Sequence, residues 1–313
     1  MSCAVIGWAL ETPLGGSIEA HVDALCRAPV LRPVTRPPPP AGGRHHRLLG
    51  ALGGAAVDVA LAAVADAGGA LTTVDRVRLG VYAAVGALRA DWEHLAPAFA
   101  DQREDGADAW ALGLGRLHPL WMLRFLSNGA HGACAAELGA GGDGATFSGP
   151  AAVAAAVAAA EDALAAGVID AAVIVAADSL CSTEAMLELA SRRADAVPAA
   201  AVAALVVCGD GQAAARAHLA AVASVDHQHL DPSPDAIAAV RAQLGAGAAG
   251  FATRRHLGEV GAAALAIDVI VAAAMRARGL APRGLDVPPT GAIHCISAGR
   301  PGQIGVIRVE VAR

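Results

Sequence analysis

Gly142-Asp-Gly-Ala-Thr-Phe-Ser148-Gly149-Pro150, the alanine-rich run 151–166, and Val168-Ile-Asp-Ala-Ala-Val-Ile-Val-Ala-Ala-Asp178 together decide how this chain is read. The order is a strand, a sharp turn at Ser148-Gly149-Pro150, a long helix and a second strand. Proline fits the first turn of a helix, where its missing N–H has no intrahelical partner and its fixed φ suits the entry. The helix carries only Glu161 and Asp162 as charges, so most of its surface must be covered by protein. A strand, an elbow and a buried helix commonly lift a nucleophile to the mouth of a pocket. This elbow offers Ser148, Gly149 and Pro150, and no cysteine.

Composition narrows what such a unit can do. With 313 residues, 55% hydrophobic and 17% charged, the chain has apolar surface for a large core. Aromatic residues are only 3%, so that core is built from Ala, Val, Leu and Ile. No alanine-rich run reaches ~20 strongly apolar residues without an acid, an arginine or a Gly/Pro break, which argues against membrane spans. The N-terminus runs directly into a strand, so no signal peptide and a cytoplasmic location are expected. The net charge of −6 and scattered arginines argue against nucleic acid as a partner. There is no lysine, which removes Schiff-base chemistry, a pyridoxal phosphate anchor and a Walker P-loop. Cys3, Cys26, Cys134, Cys181, Cys208 and Cys295 are widely spaced and read as buried, reduced thiols. The histidines, His45-His46 and His227-x-His229 included, show no metal spacing, so neither metal nor cofactor is expected.

Outward from the centre, Cys3 to Leu10 predicts a strand ended by Thr12-Pro-Leu-Gly-Gly16, and Ser17 caps a helix to about Cys26. Residues 29–43, with prolines at 37–40, predict an extended surface connection. A helix from Leu48 to Ala67 and a strand from Arg78 to Gly86 follow, then an acidic surface loop at 101–108. Leu117 to Gly129 predicts a helix that gathers Trp121, Met122 and Phe125, as core packing or as the wall of a cavity or interface. Strands are predicted at 171–177 and 202–208, with polar Ser191 to Asp195 between them. A strand from His218 to Val225, a helix over 232–244 and a buried helix opening at Arg254 and running to about Arg278 come next. Two strands, Ala292 to Ser297 and Ile304 to Val311, close the chain. Alternating strands and buried helices predict layered α/β with helices between sheets, in two unequal copies before and after about residue 210.

Several of these segments together resemble the ketosynthase branch of the thiolase superfamily, over nearly the whole chain. Val5-Ile-Gly-Trp-Ala-Leu-Glu-Thr-Pro-Leu-Gly-Gly16 is similar to the opening strand and "TPLG" turn of beta-ketoacyl synthases. Asn128 with the small-residue helix to Gly139, then Gly141 to Pro150, resembles the approach to the active-site elbow. Ala165 to Asp178 matches the "GxxDxxxxGG" strand, His256-Leu-Gly-Glu-Val-Gly261 the "GHxxGAAG" helix start, and Ser297 to Gly302 the closing "SFGFGG" loop. The resemblance implies a thiolase-like α-β-α-β-α fold in one domain over 1–313, with unequal pseudo-repeats 1–210 and 211–313.

The departures from the family carry the functional expectation. An active ketosynthase places a cysteine at the N-terminus of the buried helix, where the dipole favours thiolate. Here Pro150 stands at that position, or Gly149 with a one-residue slip. No "AHGT" segment occurs between Leu244 and Thr253, and His227 and His229 lie too early. Laying Gly258-Glu-Val-Gly261 on "GAAG" puts Arg255 at the second histidine, with His256 one residue late. The family's lysine is absent.

Such a chain resembles the chain-length factor, or ketosynthase-beta, of type II polyketide synthases. The resemblance implies a catalytically inactive subunit that heterodimerises with a catalytic ketosynthase. It also implies an acyl tunnel along the shared interface, fed by acyl carrier protein with its phosphopantetheine-bound chain. Trp121, Met122, Phe125, Leu126 and Asn128 would then line the tunnel or interface. The factors' starter-decarboxylating glutamine is missing, and the short length suits a partner in polyene-making systems. Two alternatives stand beside this: an acyltransferase or hydrolase with Ser148 or Cys134 as nucleophile and His256 as base, and a homodimeric scaffold.

Overall fold

Unbroken runs of Ala, Val and Ile make strands that bury both faces, and such strands belong in the middle of a sheet covered by helices on either side. Two runs behave this way: β4 (Ala171–Ser179) and β5 (Ala200–Gly209), buried along nearly their whole lengths. The computed structural model describes residues 2–26, 44–86, 92–99, 113–192, 196–210, 215–226, 250–251, 253–280, 291–298 and 303–311. Around β4 and β5 stand β1 (Cys3–Glu11), β2 (Leu79–Val85), β3 (Gly144–Ser148), β6 (Ala217–Asp226), β7 (Gly250–Phe251), β8 (Ile293–Ala298) and β9 (Gln303–Val311). The helices are α1 (Ile18–Cys26), α2 (Arg44–Ala67), α3 (Trp92–Phe99), α4 (Gly129–Leu138), α5 (Ala152–Ala165), α6 (Thr183–Arg192), α7 (Arg254–Leu257) and α8 (Ala264–Ala277).

The strand order is β3-β2-β4-β5-β1-β6-β9-β8-β7. In the first part β3, β2 and β4 are parallel, while β5 and β1 run antiparallel to their neighbours. The second part repeats this order and sense: β7 is parallel to β8, and β9 and β6 are antiparallel. Thus β2-β4-β5-β1 recurs as β7-β8-β9-β6, the two unequal copies expected from the sequence. Cys3–Val5 of β1 pair with Ala217–Leu219 of β6 where the two sets of strands join.

Side-chain alternation sorts the two faces. Cys3 and Val5 of β1, with Ala172, Ile174 and Ala176 of β4, enter the core shared with α5 and α8. Ala4 and Ile6, with Val173 and Val175, enter the core under α2 and α4. The described layers are therefore α2 and α4, the first five strands, α5 and α8, and the last four strands. By length and composition Leu48–Leu71 is apolar enough to cross a membrane. Its Ala55, Ala56, Val57, Ala60 and Ala63 are buried in the core under that layer, as a core helix requires.

Most predicted elements form where expected, and Ser17 caps α1 by accepting from the Ala20 N–H at 3.3 Å. Two are corrected. Residues 117–129 are not an α-helix: Trp121–Phe125 is a 3₁₀ turn, with i→i+3 bonds such as Trp121 N–H to His118 O at 2.8 Å, and helix resumes only at Gly129. The helix predicted from Arg254 is broken: α7 is one turn, Gly258 departs at φ 83°, and Gly261–Ala263 is 3₁₀ before α8 begins. Helices α3 and α6 and strand β7 were not foreseen, although Ser182, which accepts from the Ala185 N–H at 3.3 Å, is a readable start for α6. The proline-rich connection 29–43, the acidic loop 101–108, Arg193 to Asp195, His227, His229, the helix over 232–244 and the loop 299–302 lie outside the described residues.

Candidate functional site

The parallel strands β2, β3 and β4 end together, and α5 and α8 begin beside those ends. In open α/β sheets this carboxyl edge is where ligands bind. The strand–elbow–helix unit forms as its sequence predicts. Ser148 is exposed at the end of β3, opposite Val85 of β2. Gly149 turns the chain at φ 100°, a conformation an L side chain rarely adopts, and its N–H donates to Val85 O at 3.1 Å. Pro150 follows, half-buried, and the Ala152 N–H donates to Gly149 O at 3.1 Å as α5 starts. The second copy closes over this start through Gly305 of β9, where a Cβ would stand 3.1 Å from the Ala151 Cα.

The segment from Thr253 to Gly261, predicted to hold the remains of the histidine site, is tied down at several points. The Thr253 N–H and hydroxyl both donate to Asp268 Oδ1 at 2.7 Å. Burial outweighs those two bonds and pushes the Asp268 carboxyl up to about 6. The Glu259 N–H donates to Val197 O at 2.7 Å and the Ala199 N–H to Glu259 O at 3.0 Å, so this stretch runs beside the entry to β5. His256 is buried within α7. The side chain of Arg255 lies outside the described residues.

Asp178, the last residue of the deciding stretch, is only 5% exposed at the end of β4. Its carboxylate accepts from the Ser179 N–H at 2.8 Å and from the Ala262 N–H, just ahead of α8, at 2.8 Å. Sequence reasoning gave it no part. Its partner lies 84 residues away.

Trp121, Met122 and Phe125 lie on the 3₁₀ turn, and Leu126 and Asn128 follow it ahead of α4. Trp121 and Phe125 meet edge to face with centroids 5.6 Å apart, both half-buried. Met122 is 61% exposed and Leu126 49%, and Leu120 beside them is also exposed, an apolar surface more open than a core would leave. The turn packs on α2, where Leu49 reaches to 3.0 Å of the space a Gly129 Cβ would take. Cys134 is not part of the elbow. It is fully buried on α4, its thiol faces Ala56 O of α2 at 3.8 Å, and burial pushes it up to about 12. Burial likewise raises the Cys3, Cys208 and Cys295 thiols, so none of the four is thiolate at neutral pH. A cleft of about 390 Å³ lined by Ile6, Leu71, Ile169, Asp170 and Asp210 lies at the opposite end of the sheet, where β4 begins. Among the described residues no three His, Cys, Asp or Glu side chains converge as a metal site needs.

No protein-family model matches the sequence, and no curated protein matches it. Solved structures do. One is a chain of the AntDE:AntF complex, a type II polyketide synthase acyl-carrier protein with its ketosynthase bound to the hexaketide. It is similar at a TM-score of 0.75 with 13% identity, over 99% of this chain and 99% of that one. A beta-ketoacyl synthase from Burkholderia phymatum is similar at 0.75 with 15% identity, over 99% of each chain. The ishigamide ketosynthase/chain length factor is similar at 0.65 with 16% identity, over 100% of each. At these identities the likeness establishes the fold: it is the thiolase-like fold of ketosynthases, spanned from end to end.

Proposed function

We propose that this chain is a non-catalytic subunit of the chain-length-factor kind, which pairs with an active ketosynthase and shapes the tunnel into which an acyl chain grows from acyl carrier protein. One observation carries the reading. The elbow that lifts a nucleophile in this fold is built in full, and the residues at its apex are Gly149 and Pro150, neither of which can form a thioester. The start of α8 supports the same view. Because that helix begins only after Gly261, we lay the family's "GAAG" on Gly261 to Ala264 instead of on Gly258 to Gly261, which moves the histidine's place from Arg255 to Gly258. At φ 83°, with a Cβ position 2.5 Å from Val197 O, Gly258 has no room for a side chain. The nucleophile's place, at Pro150 or Gly149, and this histidine's place then both lack a side chain that could do the chemistry. The exposed Leu120, Met122 and Leu126 supply apolar surface for a partner.

The test is co-expression with any ketosynthase encoded beside this gene, native mass spectrometry of the product, and an elongation assay with acyl carrier protein. A one-to-one complex that elongates only when both chains are present supports the proposal. A stable lone chain or homodimer that ignores the neighbour overturns it. The exposure of Ser148 at the elbow sustains a second reading, an acyltransferase or hydrolase on the same fold. Rapid labelling of Ser148 by an acyl-thioester analogue or a serine-directed phosphonate would favour that reading.

A further inference from the structure

The two copies of the fold meet at the site through one buried carboxylate. Asp178 leaves the end of β4 and reaches the backbone ahead of α8, the long buried helix of the other copy, where its Oδ2 accepts from the Ala262 N–H at 2.8 Å. Two glycines make the seat. A Cβ on Gly86, which follows β2, would stand 1.9 Å from Asp178 Oδ1, and a Cβ on Gly261 would stand 1.8 Å from Oδ2. Neither position admits any side chain while the carboxylate is there. Gly86 is itself fixed to β4, its N–H donating to Ala177 O at 3.3 Å. A negative group at this end of α8 is favoured by the helix dipole and by the N–H groups that lack intrahelical acceptors.

We propose that Asp178 is the positioning residue of this site: its carboxylate, seated between Gly86 and Gly261, clamps the start of α8 to the ends of β2 and β4. The anion-binding capacity of that helix end is thereby taken up from within the chain. The proposal stands whichever reading of the elbow holds, because it concerns how the floor of the site is built.

Hydrogen exchange on the protein, in the assembly in which it purifies, tests this with small carboxylates as probes. In Asp178→Ala the amides of 262–266 should exchange at least tenfold faster, while those of β1 and β5 stay unchanged. Sodium formate should restore protection in a saturable way and sodium chloride at the same ionic strength should not. The wild type should show no formate-specific effect. Asp178→Asn keeps an acceptor oxygen for Ala262 and should stay within about threefold of the wild type. If Asp178→Ala does not fold, Gly86→Ala supplies the test, since its methyl group displaces the carboxylate and should loosen the same amides. Unchanged exchange at 262–266, loosening spread evenly over the chain, or formate acting equally on wild type and variant would overturn the proposal.

Discussion

Asp268 should make this protein less stable as the pH rises from 4 to 7. The carboxyl is buried on α8 and accepts two bonds from Thr253, yet burial lifts it from the usual 3.8 to about 6. A raised acid is held protonated by the folded state, so its contribution to stability is complete below the unfolded value and lost as pH passes through the folded one. Roughly two pH units at 1.36 kcal/mol each give a loss of ~3 kcal/mol between about pH 4 and pH 6.5. Glu161 acts in the same direction. Burial lifts it to about 6 as well, although it is nearer solvent and its share is smaller. The control is Asp268→Asn, whose amide oxygen still accepts from Thr253 but does not titrate. Urea unfolding at pH 4, 5, 6 and 7, at fixed protein concentration, should show the wild type losing ~3 kcal/mol relative to the variant across that range. Curves that stay parallel within about 0.5 kcal/mol would refute the reasoning, because the two Thr253 bonds would then outweigh the cost of burying the charge.

Gly258→Ala should destabilise by roughly 2 kcal/mol or more, because its backbone strain adds to a Cβ contact of 2.5 Å with Val197 O; a fall in Tm of only a degree would contradict the close approach. Cys134→Ala should cost about 1–2 kcal/mol, as for a small core side chain, and leave any elongation rate of the complex unchanged; a lost rate would reinstate the thiol as a nucleophile. Within a complex, Trp121→Ala or Phe125→Ala should shift products to longer chains by mass spectrometry, since removing a bulky side chain extends a tunnel. Unchanged products from both variants would place the pair outside the tunnel wall. Met122→Asp, on the 61% exposed side chain, should weaken pairing with the ketosynthase at least tenfold in native mass spectrometry while the isolated chain's Tm stays within a few degrees.

The strands were legible because their signal is local. A run such as Ala171 to Ala177 is apolar at every position, and only a strand covered on both faces accommodates that at such length. The elbow was legible for the same reason: Ser148-Gly149-Pro150 sits between a strand pattern and a helix pattern. The segment 117–129 misled because Trp121, Met122 and Phe125 recur at helical spacing, while the backbone meets its hydrogen bonds three residues apart and leaves Met122 and Leu126 in the open. Helix α6 was hidden by its polarity, which imitates a loop.

From the sequence alone follow the layered α/β class, the doubled strand–helix theme, and an elbow without a thiol. Each depends on the identity or spacing of neighbouring residues. Only the tertiary structure decided that α8 begins after Gly261, that Gly258 has no space for a side chain, and that Asp178 reaches the Ala262 amide. Those facts depend on where β4 of one copy meets α8 of the other, across 84 residues of chain. A carboxylate's partner at that separation is set by packing, which no local pattern records.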